Sequence, residues 1–292
     1  MGLFRSKYSL KGGIGLALGG GGARGFAYIG VMKAFEENNI KFDFVSGTSI
    51  GSIAGALYCS EKTSEDMKKI AQNIRIKDVR TSKIPFVPSK TVGLENILKE
   101  SIKERDFSEL KIPFASVAVD VISGEECVIM DGDLIKAIAG SCAVPLVFNP
   151  VDRNKKRLFD GGLANTIPSD VPKKNGCDAV VAVDINSSRG YGTDSTKFVD
   201  LVTAAFRITM KSTALKGYLN ADIMIKPDLK RFRASKKDGF EDMIEEGYKA
   251  TMEQMPAIKE LFCKSKMHVK RMKSEEKLKR KLIENKIKQM EE

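Results

Sequence analysis

The hydrophobic positions of this chain fall into two textures. Short, nearly continuous apolar runs at residues 14–18, 41–45, 114–121, 127–130, 156–159, 179–185 and 222–225 have the length and β-branched content of strands. Between most of them lie stretches with helical spacing, among them residues 26–37 and the small-residue run 52–58. Strands without polar alternation are covered on both faces, so the pattern predicts an α/β protein of three layers, α/β/α, with a mostly parallel central sheet. Ligand chemistry in such a sheet gathers at the carboxyl ends of the strands. Residues 81–91, with Ile84-Pro85-Phe86-Val87-Pro88-Ser89-Lys90, read as a surface connection, a lid being the other reading; residues 187–194 read as a similar loop. No internal repeat is evident.

Two glycine-rich segments sit at the ends of the first two predicted strands. Gly19-Gly20-Gly21-Gly22-Ala23-Arg24-Gly25 follows the run 14–18, and Gly47-Thr48-Ser49-Ile50-Gly51 follows 41–45. The second has the G-x-S-x-G form of a nucleophile elbow, in which Gly47 and Gly51 permit a tight strand-to-helix turn and expose the Ser49 hydroxyl at its apex. That pentapeptide recurs by chance in glycine-rich chains; its position between a strand and a helix gives it meaning. The first segment supports several readings. Gly20-x-Gly22-x-x-Gly25 satisfies a dinucleotide fingerprint, with Asp43 near the spacing of the ribose-binding acid. A P-loop fails, because no Lys-Ser or Lys-Thr follows the last glycine. The third reading is an oxyanion hole built from the amides near Gly20, Gly21 and Gly22, with Arg24 as a fixed positive charge beside it.

An activated serine needs a base, and the only histidine is His268, in a lysine-rich tail. An aspartate acting directly on Ser49 is therefore the expectation. Asp160, in Leu158-Phe159-Asp160-Gly161-Gly162, follows an apolar pair and precedes two glycines that permit close approach. Asp-Gly is also an ordinary turn signal, and Asp120, Asp131, Asp133, Asp152, Asp170 and Asp184 compete on composition. To accept a proton from an alcohol Asp160 must be desolvated, so the expectation is a buried carboxyl within hydrogen-bond reach of Ser49.

The three segments in this order, Gly20–Gly25, Gly47–Gly51 and Asp160–Gly162, resemble the patatin-like phospholipases, as does Ala139-Gly140-Ser141-Cys142-Ala143-Val144-Pro145 followed by Phe148-Asn149-Pro150. The resemblance carries motifs from about residue 13 to 186 and none in the last thirty or so residues. It implies a patatin-like catalytic domain with Ser49 as nucleophile, Asp160 as its base, and acyl-ester lipids as substrates. It implies no cofactor and no metal, in keeping with a single histidine and five cysteines without a C-x-x-C pair.

Composition sets the outer limits. With 292 residues and 42% hydrophobic content, one core suffices, and the expected division is an N-terminal extension (1–12), a catalytic domain (13–263) and a basic helical tail (264–292). Unclustered cysteines, the absence of an apolar run of membrane-spanning length and the lack of a signal core give the expectation of a cytoplasmic protein, peripheral at most to a membrane. Met1-Gly2-Leu3-Phe4-Arg5-Ser6 fits a myristoylation pattern too short to carry weight. The tail holds eleven basic and five acidic residues, so it supplies +6 of the net charge of +11. Leu278, Leu282, Ile283, Ile287 and Met290 give it a helical apolar stripe. Its readings are a solvated extension, a contact with anionic membrane, or a partner helix. Nucleic acid is not expected, since no recognition motif accompanies the charge. Two other functions stay open: a nucleotide-binding protein using Gly20–Gly25, and a non-catalytic scaffold acting through the tail.

Overall fold

The computed structural model describes residues 12–74, 79, 88–188, 193–232 and 239–291, with side chains as far as Ser265, Val199 excepted. The Gly2 motif, residues 81–87 of the Pro-rich stretch and the side chains of the tail stripe lie outside the described residues.

Eight strands form one sheet: β1 (Ile14–Leu18), β2 (Phe44–Thr48), β3 (Phe114–Asp120), β4 (Glu126–Ile129), β5 (Val151–Arg153), β6 (Lys156–Asp160), β7 (Ala179–Val183) and β8 (Ile223–Ile225). The order is β5-β6-β3-β2-β1-β7-β8, with β4 pairing β3 off this path. The β3-β2-β1-β7-β8 portion is parallel; β4, β5 and β6 are antiparallel additions at one side. The helices are α1 (Ala27–Glu37), α2 (Ile50–Cys59), α3 (Ser64–Asn73), α4 (Val92–Ser101), α5 (Leu134–Ser141), α6 (Asp170–Lys174), α7 (Phe198–Asn220) and α8 (Phe240–Glu291).

Both faces of the sheet are covered, which makes three layers. Leu16, Leu18, Val45, Val181 and Val183 face a large core shared with α1, α2, α5 and the first turns of α8. On the other face Ala17, Val180 and Ala182 meet Ile167 and Ala214 of α7, while Phe44, Ala115 and Val117 meet Val171 of α6. Small residues fix the closest helix contact. A Cβ on Gly30 of α1 would lie 1.9 Å from the Ile244 carbonyl oxygen of α8, and one on Gly247 would lie 2.0 Å from that of Ala27. The helix α8 runs through residues 263 and 264 without a break and contains Pro256.

The second strand begins three residues later than the apolar run suggests. After α1 the chain turns through Asn39 in the left-handed region, with the Ile40 amide bonded back to the Phe35 carbonyl, so residues 40–43 complete the turn. β2 then extends through Ser46-Gly47-Thr48, polar yet fully buried, because the Ser46 and Thr48 hydroxyls donate to the Pro168 and Asn165 carbonyls at 2.8 Å each. The short β5 was not expected; Asn154 and Lys155, both left-handed (φ 49° and 65°), close its hairpin with β6. The described end of the Pro-rich stretch is anchored, with Ser89 buried and its amide bonded to the Val147 carbonyl at 2.9 Å.

Candidate functional site

The registers of β2 and β6 on β3 build the site. Thr48, the last residue of β2, stands opposite Val117, and Asp160, the last residue of β6, stands opposite Ala118. The Val45 amide bonds to the Pro113 carbonyl and the Val121 amide to the Arg157 carbonyl, so both strands bond to odd-numbered residues immediately flanking β3, which point to one edge. A parallel strand and an antiparallel strand thus arrive head to head, and Ser49 and Asp160 meet where they stop.

Ser49 sits at φ 55°, ψ −125° between β2 and α2. For a serine this is strained backbone, at a cost of about 1–3 kcal/mol. Its surroundings leave little alternative. A Cβ on Gly47 would lie 2.3 Å from the Gly51 carbonyl oxygen, one on Gly51 would lie 2.1 Å from that of Leu18, and one on Gly25 would lie 2.1 Å from Ile50 Cγ1. The Ser49 amide donates to Ser141 Oγ at 2.8 Å, and Ser141 donates to the Val117 carbonyl. Ser52 Oγ reaches the Gly47 carbonyl at 2.7 Å and lies 3.0 Å from both Ser141 Oγ and Ser116 Oγ. This buried serine cluster behind the elbow was not anticipated; only the helical spacing of Ser49 and Ser52 hinted at it. The Ser49 hydroxyl is not spent on capping α2.

Asp160 is 1% exposed. Its amide bonds to the Ala143 carbonyl, and its Oδ1 accepts from the Gly162 amide at 2.8 Å. Burial pushes its pKa up to about 6, while the Ser49 hydroxyl and the Gly162 amide hold it down. A Cβ on Gly161 would lie 2.2 Å from the Val117 carbonyl oxygen, and one on Gly162 would lie 3.1 Å from Asp160 Oδ1, so both glycines let the chain turn directly beneath the carboxyl. The buried Cys142 thiol touches the same pair, its pKa raised by burial and by the Asp160 charge.

The glycine loop passes over Ser49. A Cβ on Gly20 would lie 3.3 Å from the Ser49 Cβ, but the Gly20 amide is already committed to the Thr166 carbonyl at 3.0 Å. The amides of Gly21 and Gly22 make no hydrogen bond among the described residues, and Gly22, at φ 60°, is exposed. Of the three expected donors, the Gly20 amide is thus engaged elsewhere. Arg24 is not a free positive charge beside the hole. It is 3% exposed, its Nε and Nη2 donate to the Phe232 carbonyl at 3.0 and 2.8 Å, and its Nη1 lies 3.4 Å from Asn186 Oδ1. Asn186 in turn donates to the Gly20 carbonyl. The arginine therefore braces the glycine loop against the segment before α8.

The competing aspartates are engaged elsewhere. Asp120 accepts from the Ile122 and Arg157 amides, Asp133 caps α5, and Asp184 accepts from the Asn186 amide and the Tyr218 hydroxyl. Asp170 bonds Lys174, Lys216 and Asn165; Asp131 and Asp152 pair with Arg153 and Arg157. Asn165, fully buried, also reaches Glu126, so one side chain ties the loop after Asp160 to β4 and α6. Asp43 accepts from the Ile14 amide at 2.8 Å, at the amino end of β1. A ribose-binding acid would lie at the carboxyl end, which removes the second element of the dinucleotide fingerprint. No group of three histidine, cysteine or acidic side chains able to hold a metal occurs among the described residues.

Comparison with known proteins points the same way. The human patatin-like phospholipase domain-containing protein 6 is 33% identical over 186 residues, covering 60% of this chain and 13% of that protein. Lysophospholipase NTE1 of Mycosarcoma maydis is 34% identical over 192 residues, 61% of this chain and 10% of its own length. The chain therefore spans only a small part of these relatives. Among solved structures, VipD from Legionella pneumophila shares the fold, with a TM-score of 0.57 at 14% identity, over 85% of this chain and 68% of that one. The family model for patatin-like phospholipases matches residues 16–172, from β1 through the elbow and Asp160 into α6, and the chain belongs to the patatin-like phospholipase family.

Proposed function

We propose that the protein is a serine acyl hydrolase of ester lipids, working through a Ser49–Asp160 dyad. The observation that carries this reading is a strained, uncapped serine facing a buried aspartate whose pKa of about 6 leaves it ionised at neutral pH yet basic enough to take a proton. Asp160 accepts the proton as Ser49 Oγ bonds to the acyl carbonyl carbon. The Gly21 and Gly22 amides and the start of α2 stabilise the oxyanion. Collapse breaks the ester bond, the leaving alcohol takes the proton from Asp160, and acyl-Ser49 remains. Water then adds to the acyl carbon with Asp160 again accepting the proton, and the carboxylic acid leaves as Ser49 Oγ recovers it.

The family supports a lipid substrate, and the name lysophospholipase borne by the Mycosarcoma maydis relative favours a phospholipid or lysophospholipid. The test is intact mass after treatment with a fluorophosphonate, alongside hydrolysis of a short nitrophenyl ester and of a lysophospholipid. Wild type gains one adduct and turns over. Ser49→Ala loses both, and Asp160→Asn is strongly slowed. Undiminished turnover in Ser49→Ala would sink the proposal.

A further inference from the structure

The helix α7 is apolar on two opposite faces. Its inner face, with Met210, Ala214 and Gly217, is buried against the sheet and the loop after Asp160. Its outer face carries Phe198, Leu201, Ile208, Leu215 and Leu219, which are 72%, 48%, 53%, 64% and 86% exposed. Spacings of three, seven, seven and four residues put these on one stripe about 30 Å long. Six of the ten large hydrophobic side chains exposed among the described residues lie on this helix, Tyr218 being the sixth, so the exposure is concentrated rather than scattered.

The inner face locates this stripe relative to the chemistry. The Met210 side chain lies against Gly20 and Gly162, and Thr213 Oγ1 donates to the Gly162 carbonyl at 2.9 Å. The outer stripe is thus about one helix diameter, ~10 Å, from the Ser49–Asp160 pair. Two exposed lysines border the stripe, Lys211 on the helix and Lys197 just before its first turn, while Lys216 is paired with Glu126 and Asp170, and the helix's one acid, Asp200, accepts from Ser195. An exposed apolar stripe bordered by basic residues matches the acyl and phosphate levels of an anionic bilayer.

We propose that the outer face of α7 docks on an anionic lipid surface, seating Phe198, Leu201, Ile208, Leu215 and Leu219 at the acyl boundary with Lys197 and Lys211 at the phosphates. The proposal rests on the acyl-hydrolase reading for its purpose, since docking there holds the Ser49–Asp160 pair about one helix diameter from ester lipids. Its test is independent of turnover. The 292-residue chain is sedimented with phosphatidylcholine vesicles with and without about one phosphatidylglycerol in three. Wild type binds the anionic vesicles preferentially. The triple variant Leu201→Asp, Ile208→Asp, Leu215→Asp needs about tenfold more lipid or worse for half-binding. It keeps wild-type fluorophosphonate labelling, which certifies the fold; the milder Leu201→Ser, Leu215→Ser pair gives a smaller loss in the same direction. Ser49→Ala binds vesicles as wild type does, so a failure of the catalytic reading shows in the ester assay and not here. Three outcomes overturn the proposal: no binding by wild type, equal binding by the triple variant (which assigns the contact to another surface, such as the basic end of α8), or a light-scattering dimer that the triple variant splits, which assigns the stripe to a second copy of this chain.

Discussion

Asp160→Asn should make the protein more stable while it removes the proposed base. Burial lifts the Asp160 pKa from 3.8 to about 6, so holding the carboxylate ionised in the folded state is unfavourable. The shift of roughly two units corresponds to about 3 kcal/mol at pH values above 6. The sign follows from proton counting. Between the unfolded pKa near 4 and the folded pKa near 6 the folded chain holds the extra proton, so this group favours folding at low pH and its contribution is lost as pH rises through that window. Asparagine has the same shape, carries no charge, and retains an oxygen for the Gly162 amide that now bonds Oδ1. The variant should therefore gain up to about 3 kcal/mol at pH 8, or roughly 5 °C in Tm for a chain of this length. Near pH 4 the gain should shrink below about 1 kcal/mol, because the wild-type carboxyl is already protonated. Calorimetric melts of both proteins from pH 4 to pH 8 measure this directly. A variant that melts at or below wild type at pH 8, or a gap that does not narrow toward pH 4, would refute the claim that an ionised, desolvated Asp160 is a stability cost tolerated for its chemistry.

Four further outcomes follow from the same geometry. The rate constant kcat/KM on a soluble ester should rise with pH through a midpoint at about 6 and stay level above it, since only the carboxylate accepts the serine proton; a midpoint near 4 would contradict the desolvated base. Ser141→Ala leaves the Ser49 amide without its acceptor and should cost about 1–3 kcal/mol in urea unfolding while slowing acylation; a cost under about 0.5 kcal/mol would show the serine cluster to be incidental. Gly51→Ala places a Cβ 2.1 Å from the Leu18 carbonyl oxygen, so it should lose about 3 kcal/mol or more together with fluorophosphonate labelling, read by melts and intact mass. Arg24→Met should slow turnover without moving the pH midpoint, because the bonds of Arg24 run to Phe232 and Asn186, whereas the Asp160 pKa is set by burial, Ser49 and Gly162; Arg24→Lys should not restore the rate, one ammonium being unable to copy the forked contact.

What the sequence disclosed and what it hid divide along a physical line. Close approach of backbones demands glycine, and glycine is visible as a letter, so the elbow at 47–51 and the turn at 160–162 were legible before any fold was known. The apolar runs gave the sheet, because a strand covered on both faces has no reason to carry polar side chains. The misjudged end of β2 has the same cause turned round: Ser46 and Thr48 are polar letters in a buried strand, and the carbonyls that satisfy them belong to Pro168 and Asn165, more than a hundred residues away. The role of Arg24 was hidden for that reason too, its partners being Phe232 and Asn186. A charged letter beside a glycine loop looks like an electrostatic device until the acceptors that consume its donors are known. The hairpin at Asn154 and Lys155 escaped because two left-handed residues there are not glycine, so the turn carried no glycine signal. Local sterics are therefore written locally, whereas hydrogen-bond satisfaction is written across the whole chain. Asp160 is the case where the two meet. Its glycines announced the turn, but only the register of β6 on β3 explains why its carboxyl is both dry and aimed at Ser49.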